Sequence, residues 1–215
     1  CRREAGTIET EQVRHIDQSL DLLSAAIRAY LADIGKEGIS DQDADRSQEI
    51  LLLVINLEHA GDILSTSLAQ LAVRRLRRGE AFSAFELGTL YPLHQELLDS
   101  LSLAITVFLR EDLPTAHQLL ARKENVRRLE AAAGREHFRQ LREDQSAWAE
   151  SGDIFQRLLR DYRRVHHHIA ALAYPALERA GERDIEHGYL SEPLADAPGA
   201  EHPVAGLKED SPCAS

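Results

Sequence analysis

The sequence is short of several residue types, and each shortage excludes a class of protein. Its 215 residues include no methionine and two cysteines, and only 5% are aromatic. Because Cys1 and Cys213 stand near opposite ends of the chain, we expect neither a disulfide framework nor a cysteine metal site, which fits a reducing cytoplasm. The longest uninterrupted apolar run, around Ile50–Ile55, is far below the roughly 18 residues that span a bilayer. We therefore expect a soluble domain without a membrane span.

The residues that are abundant favour helices. Ala and Leu dominate the apolar fraction of 43%, Glu, Arg and Gln fill most other positions, and β-branched runs of strand length are absent. The predicted fold class is all-α. The formal net charge of −11 opposes a general affinity for nucleic acid, so we expect no nucleic-acid partner. We interpret the missing methionine as the sign of a fragment from a longer polypeptide.

Apolar residues recur at steps of three and four over five long segments, which predicts five helices. The predicted ranges are 9–35, 41–78, 82–110, 114–142 and 153–179. In the first helix the stripe expected to face inward is Val13, Ile16, Leu20, Leu23, Ile27, Tyr30 and Leu31. Ser40 and Asp43 are typical of a helix start, and Gly79 is typical of a helix end. Pro92 lies inside the third helix and predicts a kink or break near Tyr91.

Long helices with short connections predict an up-and-down antiparallel bundle. The order of long helix, loop and very long helix at the start is echoed later, which suggests two three-helix units. The first unit would span residues 9–79 and lack its first helix, and the second would span residues 80–182. Composition without periodicity predicts a flexible segment over residues 1–8 and a disordered tail over residues 183–215.

Two carboxylates stand four residues apart in the second predicted helix. Glu58 and Asp62 therefore leave one helix face about a turn apart, where like charges cost stability unless something neutralises them. They flank Leu57 and Gly61 of the core stripe, and paired acids beside a core seam are what metal sites in helix bundles use. A solvated acidic turn is the alternative, because this spacing arises by chance in many helices.

The residues around this pair resemble a known family. The stretch Asn-Leu-Glu-His-Ala-Gly-Asp-Ile, residues 56–63, resembles the Glu-x-x-Gly-Asp helix signature of the PhoU family. Asp21 matches a position where the partner helix of that family supplies an Asp, whereas Ser24 stands where the family often has an acid. The resemblance implies three-helix repeats and a site for a divalent or iron-type metal ion at Asp21, Glu58 and Asp62.

The second half is similar to a narrower group within that family. Residues 158–169 and 123–130 are similar to PhoU-like domains attached to sodium/phosphate cotransporters. In that group the PhoU-like part follows the membrane helices and lies in the cytoplasm. The resemblance covers about residues 9–182 and implies a cytoplasmic regulatory domain that modulates sodium-dependent phosphate transport. The implied location is the cytoplasmic face of the cell membrane, and the implied partner is the membrane transporter portion of the same polypeptide. A homodimer is a further candidate.

The second unit departs from the acidic pattern of the first. When the two units are superposed by their apolar positions, three arginines fall where the first unit has acids, namely Arg127, Arg160 and Arg164. Because a guanidinium group stays protonated, no cation site can be built from them. Two interpretations remain open. The arginines pair with nearby acids such as Asp161 and Glu130, or they form an anion site suited to phosphate.

No pattern in the sequence argues for catalysis. It contains no glycine-rich phosphate loop and no nucleophile elbow, so we expect a non-enzymatic protein without catalytic residues. The triplet His166–His168 cannot converge on one ion, since consecutive helical residues point about 100° apart. Two alternatives stay open. One is a free-standing PhoU-like phosphate-signalling adaptor, and the other is a metalloenzyme with a carboxylate-bridged centre, for which the inward acids are too few.

Overall fold

A computed structural model of the chain describes residues 2–36, 38–79, 81–143 and 149–181, and all regular structure within these ranges is helical. The helices are α1 (Arg2–Lys36), α2 (Asp41–Asp62), α3 (Ala69–Arg78), α4 (Ala84–Arg110), α5 (Leu113–Glu143), α6 (Ala149–Ala170) and α7 (Tyr174–Arg179). A π-helical turn, Ile63–Leu68, joins α2 to α3, and a 3₁₀ turn, Ala171–Ala173, joins α6 to α7. The predicted all-α class is confirmed, while the predicted tail lies outside the described residues.

Side-chain caps and glycine set several helix boundaries. The Ser40 hydroxyl accepts a hydrogen bond from the Asp43 backbone N–H at 3.2 Å and so begins α2. Ser83 and Glu86 form a reciprocal capping box at the start of α4. Gly79 ends α3 with φ of 73°, a left-handed conformation that costs glycine little. The sequence predicts the start of α2 and the end of α3, whereas α4 begins two residues after its predicted start.

Besides the π turn and the 3₁₀ turn, the chain differs from the predicted helices at the start of α1 and along α4. α1 begins at Arg2, so helix replaces the flexible segment expected over residues 2–8; Cys1 lies outside the described residues. The search for apolar periodicity missed residues 2–8 because these residues form no apolar stripe. α4 also runs without a break through Pro92. Proline removes the hydrogen bond to the carbonyl four residues earlier, and here that residue is the exposed Gly88, whose carbonyl can bond water instead.

The helices pack as two sets. The first set is α1, α2 and α3, the second set is α4, α5 and α6, and α6 contacts helices of both. α4, α5 and α6 pack on one another, whereas α1 packs on α2, the π turn and α3. α2 and α3 in turn pack on α6. One apolar core joins α4, α5 and α6, and its buried members are Leu93, Val126, Ala133, Phe155 and Leu159. A smaller core joins α3 to α6 through Leu71, Ile154 and Leu158.

A buried ion pair fixes the corner between α3 and α4. Both terminal nitrogens of Arg75 donate to Glu86, each at 2.8 Å, and the two side chains are almost fully buried. The Arg75 guanidinium also stacks over the Phe82 ring, 4.2 Å from its centroid. Breaking such a pair leaves a buried charge, which typically costs about 3–5 kcal/mol. The corner therefore locks the first set of helices to the second.

Part of the apolar surface of the first set stays exposed. Of the stripe predicted to face inward from α1, Val13, Leu20, Ile27 and Leu31 are half-buried, but Ile16, Leu23 and Tyr30 are 62–68% exposed. That part of the prediction is wrong for this chain, because no further helix lies against the outer side of α1 among the described residues.

The stretch Asp41–Arg78 is long and apolar enough to cross a membrane, by length and composition alone. The sequence analysis did not find this stretch because it counted uninterrupted apolar residues. The mean hydropathy of an 18-residue window can be high even when polar residues interrupt the apolar ones. Long helices from the cores of soluble proteins meet the same test, so it is weak evidence. Here this stretch packs against α1 and α6.

Candidate functional site

The acidic pair of α2 faces α1 across a close helix contact. A Cβ atom placed on Gly61 would lie 2.7 Å from Leu20 Cδ2 and 3.1 Å from Asp17 Oδ1. A larger residue here would require the Leu20 side chain to move. Glu58 and Asp62, three residues before and one residue after Gly61, therefore lie beside a close approach of α1 and α2.

Glu58 is held by an arginine of α1. Arg28 Nη1 donates to Glu58 Oε2 at 2.6 Å, and Nη2 donates to Oε1 at 3.1 Å. This two-point bond to Arg28 lowers the pKa of the Glu58 carboxyl and raises the pKa of the guanidinium. Glu58 thus already has a cationic partner within the protein.

Asp62 is in the opposite electrostatic situation. Partial burial raises the pKa of its carboxyl, and the nearby charges of Asp17, Asp21 and Glu58 raise it further, against a smaller opposing effect of His59. Four carboxylates are thus close enough to influence one another, two on each helix. The effect appears at Asp62, whose charged form is disfavoured by the neighbouring negative charges.

Asp17 and Arg28 belong to this site although the motif did not indicate them. Both lie on the face of α1 that bears Asp21 and Ser24, since the four residues are spaced by four, three and four positions. That spacing could have pointed to them in the sequence. Ser24 itself is buried, with 2% exposure, and no carboxylate stands at its position.

The π turn carries three consecutive residues with hydroxyl groups, Ser65, Thr66 and Ser67. Their hydroxyls donate hydrogen bonds to α1, to the end of α2 and to α6. Ser65 donates to Asp17 of α1 at 2.7 Å, and Ser67 donates to the buried Asp161 of α6. Thr66 donates to the backbone carbonyl of Asp62. The turn that follows the acidic pair therefore bridges the two sets of helices through acids on either side. π turns of this kind occur often at functional sites.

The described side chains do not form a ready-made metal shell. Over residues 2–36, 38–79, 81–143 and 149–181, no group of three or more His, Cys, Asp or Glu is arranged to hold a metal ion. A metal at Asp21, Glu58 and Asp62 would compete with Arg28 for the Glu58 carboxylate. The metal assignment stays a prediction with that condition attached.

The three arginines of the second unit lie on exposed parts of α5 and α6. Arg127 is 3.9 Å from Glu124, and Arg164 is 3.2 Å from the buried Asp161. Arg160 is exposed on α6. Internal pairing therefore accounts for Arg127 and Arg164 as they stand. The anion site at Arg127, Arg160 and Arg164 stays a prediction.

Two histidines of the α6 triplet, the buried His166 and the half-buried His168, bond to different helices. His166 is bonded to Ser100 of α4 at 2.9 Å, and burial lowers its pKa to about 4. His168 is bonded to Asn56 of α2 at 3.1 Å, and burial, followed by the nearby His59, lowers its pKa to about 4. These two imidazoles are neutral at pH 7, and they connect α6 to helices of both sets.

Comparison with known proteins gives relatives but no family model. No protein-family model matches the chain. Over 181 residues it is 29% identical to the "Putative inorganic phosphate export protein YjbB" of Escherichia coli strain K12, covering 84% of this chain and 33% of that protein. The proteins of the same name from Shigella flexneri and Salmonella typhimurium are also 29% identical. The chain spans about a third of the length of these curated relatives.

A solved structure shares the fold. The crystal structure of PhoU from Pseudomonas aeruginosa superposes with a TM-score of 0.73 at 22% identity, covering 80% of this chain and 81% of that one. At this level of identity the likeness shows the fold alone. The chain therefore has a PhoU-like helical fold.

Proposed function

We propose that this chain is the helical regulatory domain of a phosphate transport protein. One observation carries the proposal. The PhoU-like bundle aligns over 84% of its length with one third of a protein named for inorganic phosphate export. The chain would then modulate phosphate movement from the cytoplasmic face of the membrane, with the membrane portion of the same polypeptide as its partner.

Sodium coupling is the finer part of this proposal. It rests on residues 123–130 and 158–169, which are similar to PhoU-like domains of sodium/phosphate cotransporters. The relatives named above are described by export, so the direction of transport is a separate question. Uptake and efflux measured separately answer it for this protein, and the sodium dependence of each flux tests the coupling.

The test is a flux measurement on the full-length product of the gene. Labelled phosphate uptake and efflux are followed in cells that produce the full protein or a version without residues 9–182, in sodium and in potassium buffer. We expect the deletion to change the flux several-fold, and sodium to be required. Membrane levels of both versions are measured by immunoblot. An unchanged flux at equal levels would refute regulation by this domain.

A free-standing signalling adaptor is the second candidate, favoured by the fold shared with PhoU. An adaptor would carry no phosphate itself. This alternative therefore predicts that loss of the gene derepresses phosphate-starvation transcription. A reporter for that transcription, read in the same strains, separates the two functions. A carboxylate-bridged metalloenzyme is disfavoured by the arrangement of acids around Arg28 and Glu58.

A metal ion would act on this domain in competition with Arg28. Replacing Arg28 by Ala removes the guanidinium from Glu58, so we expect Mn²⁺ to bind at least about fivefold more tightly than to the wild type. Arg14→Ala is the matched control, because Arg14 pairs with Glu11 on an exposed part of the same helix. Isothermal titration measures all three proteins. Absence of binding to Arg28→Ala would refute the metal site.

Phosphate is the corresponding ligand for the arginine cluster. Calorimetric titration of the wild type with inorganic phosphate, repeated with Arg164→Ala, tests the predicted anion site. We expect binding that the substitution weakens. A wild type that does not bind phosphate refutes this site.

A further inference from the structure

The side of α5 that faces solvent carries a row of arginines. We call it the α5 basic row, and its members, all exposed, are Arg128, Arg135, Arg139 and Arg142. They are separated by seven, four and three residues, so at about 100° per residue they point within roughly 60° of one another. The row extends about 21 Å along the helix.

The opposite side of α5 is buried in the bundle. Leu119, Val126, Ala133 and His137 are at most 5% exposed there, and α5 packs against α4 and α6. One face of α5 therefore fixes the helix in the protein, while the other presents the basic row to solvent. The row is a fixed part of the surface because packing holds its helix in place.

Most of the positive charge of the row is not neutralised within the protein. Arg139 lies 2.6 Å from Glu136, whereas Arg128 donates to a neutral amide oxygen. Arg135 and Arg142 take part in no ion pair within the described part of the chain. Four guanidinium groups therefore face one carboxylate among the side chains described on this face.

The helix dipole accounts for only one end of the row. An arginine in the last turn of a helix stabilises that end, and Arg142 is in the last turn of α5. Arg135 and Arg128 lie about two and four turns before the end at Glu143, which is beyond the reach of this effect. The rest of the row needs another explanation.

An exposed phenyl ring lies beside the row. Phe138 is 66% exposed, whereas the other four phenylalanines of the chain are buried or half-buried. It comes three residues after Arg135 and four before Arg142, so the ring lies on the adjoining strip of the same helix side. Removing such a ring from water is favourable, and this one has no cover in the bundle.

Arginines next to an exposed aromatic ring match the chemistry of a membrane surface. Guanidinium groups bind phosphate oxygens through two parallel hydrogen bonds. Just below the phosphates of a bilayer begins an apolar layer that a phenyl ring can enter. A nucleic acid also offers phosphates, but no such layer lies behind them. Clusters of four or more arginines and lysines on one helix are typical of contact with anionic lipids.

The net charge of −11 does not prevent this contact. At about 0.1 M salt, exposed charges more than about 10 Å apart are largely screened from one another. A membrane that approaches α5 therefore responds mainly to the basic row and little to acids on the far side of the bundle.

We propose that the α5 basic row and Phe138 form a contact surface for anionic phospholipid headgroups. The proposal rests on the proposed function for its place in the cell, because a domain joined to a membrane protein is held close to this partner. Such a tether gives an effective concentration in the millimolar range, so a weak contact is enough. The binding itself is a property of the chain and can be measured without the transporter.

The first test is cosedimentation of the 215-residue chain with lipid vesicles in about 0.1 M salt. The vesicles contain phosphatidylcholine alone or with roughly 30% phosphatidylglycerol. We expect binding at least about tenfold stronger to the anionic vesicles, and less of it at about 0.5 M salt. The double variant Arg135→Gln/Arg142→Gln removes two charges without an ion pair, so the partition coefficient should fall about 25-fold.

The matched control removes two charges from another helix. Arg74 and Arg77 of α3 are also exposed and in no ion pair among the described residues. The variant Arg74→Gln/Arg77→Gln therefore has the same net charge as the α5 variant and should bind within about twofold of the wild type. Far-ultraviolet circular dichroism verifies that both variants stay helical.

The second test locates the contact by fluorescence, with the single tryptophan, Trp148, first replaced by Phe. Phe138→Trp then places the only indole beside the basic row. Its emission should move to shorter wavelength with anionic vesicles, and a lipid carrying a quencher near the headgroup should quench it. Tyr91→Trp on α4 is the control, because Tyr91 is 68% exposed, and its emission should not change.

Four outcomes would overturn the lipid contact. One is no binding to anionic vesicles, and another is equal binding to neutral ones. The third is a loss of binding in the α3 variant but not in the α5 variant. The fourth is release from the vesicles by an equal concentration of a short DNA duplex, which would show a general site for polyanions.

The flux measurement on the full-length protein separates this contact from the proposed function. A flux that changes on deletion of residues 9–182, with no binding to vesicles, refutes the lipid contact and leaves the regulation standing. Vesicle binding that the α5 variant loses, together with an unchanged flux, supports the contact and refutes the regulation.

Discussion

The two sets of helices are held together by different means. The set of α4, α5 and α6 surrounds an apolar core that includes Phe155 and Leu93, both at most 1% exposed. In the set of α1, α2 and α3, α1 is held by the Arg28–Glu58 ion pair with α2 and by a hydrogen bond from Ser65 of the π turn to Asp17. α1 contributes one fully buried side chain within its described part, that of Ser24.

This difference indicates which set can change without loss of the fold. Apolar burial involves no charged group, so the stability that comes from area removed from water depends little on pH. Polar contacts at the α1–α2 surface instead respond to protonation, salt and competing ions. The second set is therefore the stable frame, and the α1–α2 contact is the part that a ligand can adjust.

The largest expected effect comes from a cavity in the stable frame. Phe155→Ala removes a fully buried ring and should lower the free energy of unfolding by about 3–5 kcal/mol. The corresponding change at the α1–α2 contact, Leu20→Ala, removes a half-buried side chain and should cost only about 1 kcal/mol. Urea unfolding followed by circular dichroism measures both. Equal losses would contradict the contrast between the two sets.

Two helical glycines give a finer comparison. At Gly134 of α5 the nearest atom to an added Cβ is Gln156 Oε1 at 3.9 Å, so Gly134→Ala should stabilise the protein by about 0.5–1 kcal/mol through helix propensity. At Gly61 the added Cβ meets Leu20 at 2.7 Å. Gly61→Ala should therefore be at least about 1 kcal/mol less favourable than Gly134→Ala. Thermal unfolding of the two variants side by side is the measurement, and a similar gain at both positions would contradict the tight α1–α2 contact.

The smallest effects separate the two acids of the pair. Glu58→Gln loses the bond to Arg28 and should lower the melting temperature, whereas Asp62→Asn removes a crowded charge and should raise it. For partly exposed groups each shift is expected to be about 1–3 °C at pH 7. Scanning calorimetry in metal-free buffer resolves shifts of this size, and a rise for both variants would show that Glu58 is not engaged.

The pH dependence of these shifts follows from the direction of each pKa change. Because Arg28 lowers the pKa of Glu58 from 4.5, its stabilisation is complete above that value and disappears as the pH falls through the lower folded value. The pKa of Asp62 is raised from 3.8, so its cost is absent below that value and grows as the pH rises through the folded value. On acidification the Asp62 difference should therefore vanish below pH 3.8, and the Glu58 difference should vanish once the pH is below the lowered folded pKa of Glu58. A shift that persists there would point to a packing effect.

The sequence predicted the helical frame because the frame depends on local signals. Caps at Ser40 and Ser83 and the glycine at position 79 lie within a few residues of the boundaries they set. The continuity of α4 through Pro92 was not predictable in this way, since it depends on water access to one carbonyl. The exposed side of α1 was also missed, because periodicity shows that a face is apolar and does not show what covers it.

The candidate site was predicted in part for the same reason. The motif placed Glu58 and Asp62 on one face, which needs only helix geometry. Their different electrostatic states depend on Arg28, which is 30 residues away in sequence and meets Glu58 only after α1 and α2 have packed. Such a partner is a tertiary property. Its one trace in the sequence is the regular spacing of Asp17, Asp21, Ser24 and Arg28.

The π turn of Ile63–Leu68 bears on how this protein is compared with others. A single inserted residue turns everything after it by about 100° in an α-helix, which would move Leu71 out of its core position. A wider turn absorbs the insertion locally, so the helix on either side keeps its alignment with the bundle. A relative with a continuous α-helix here should lack one residue between the positions of Asp62 and Leu71. An alignment drawn without that gap would pair every residue of α3 with the wrong neighbour.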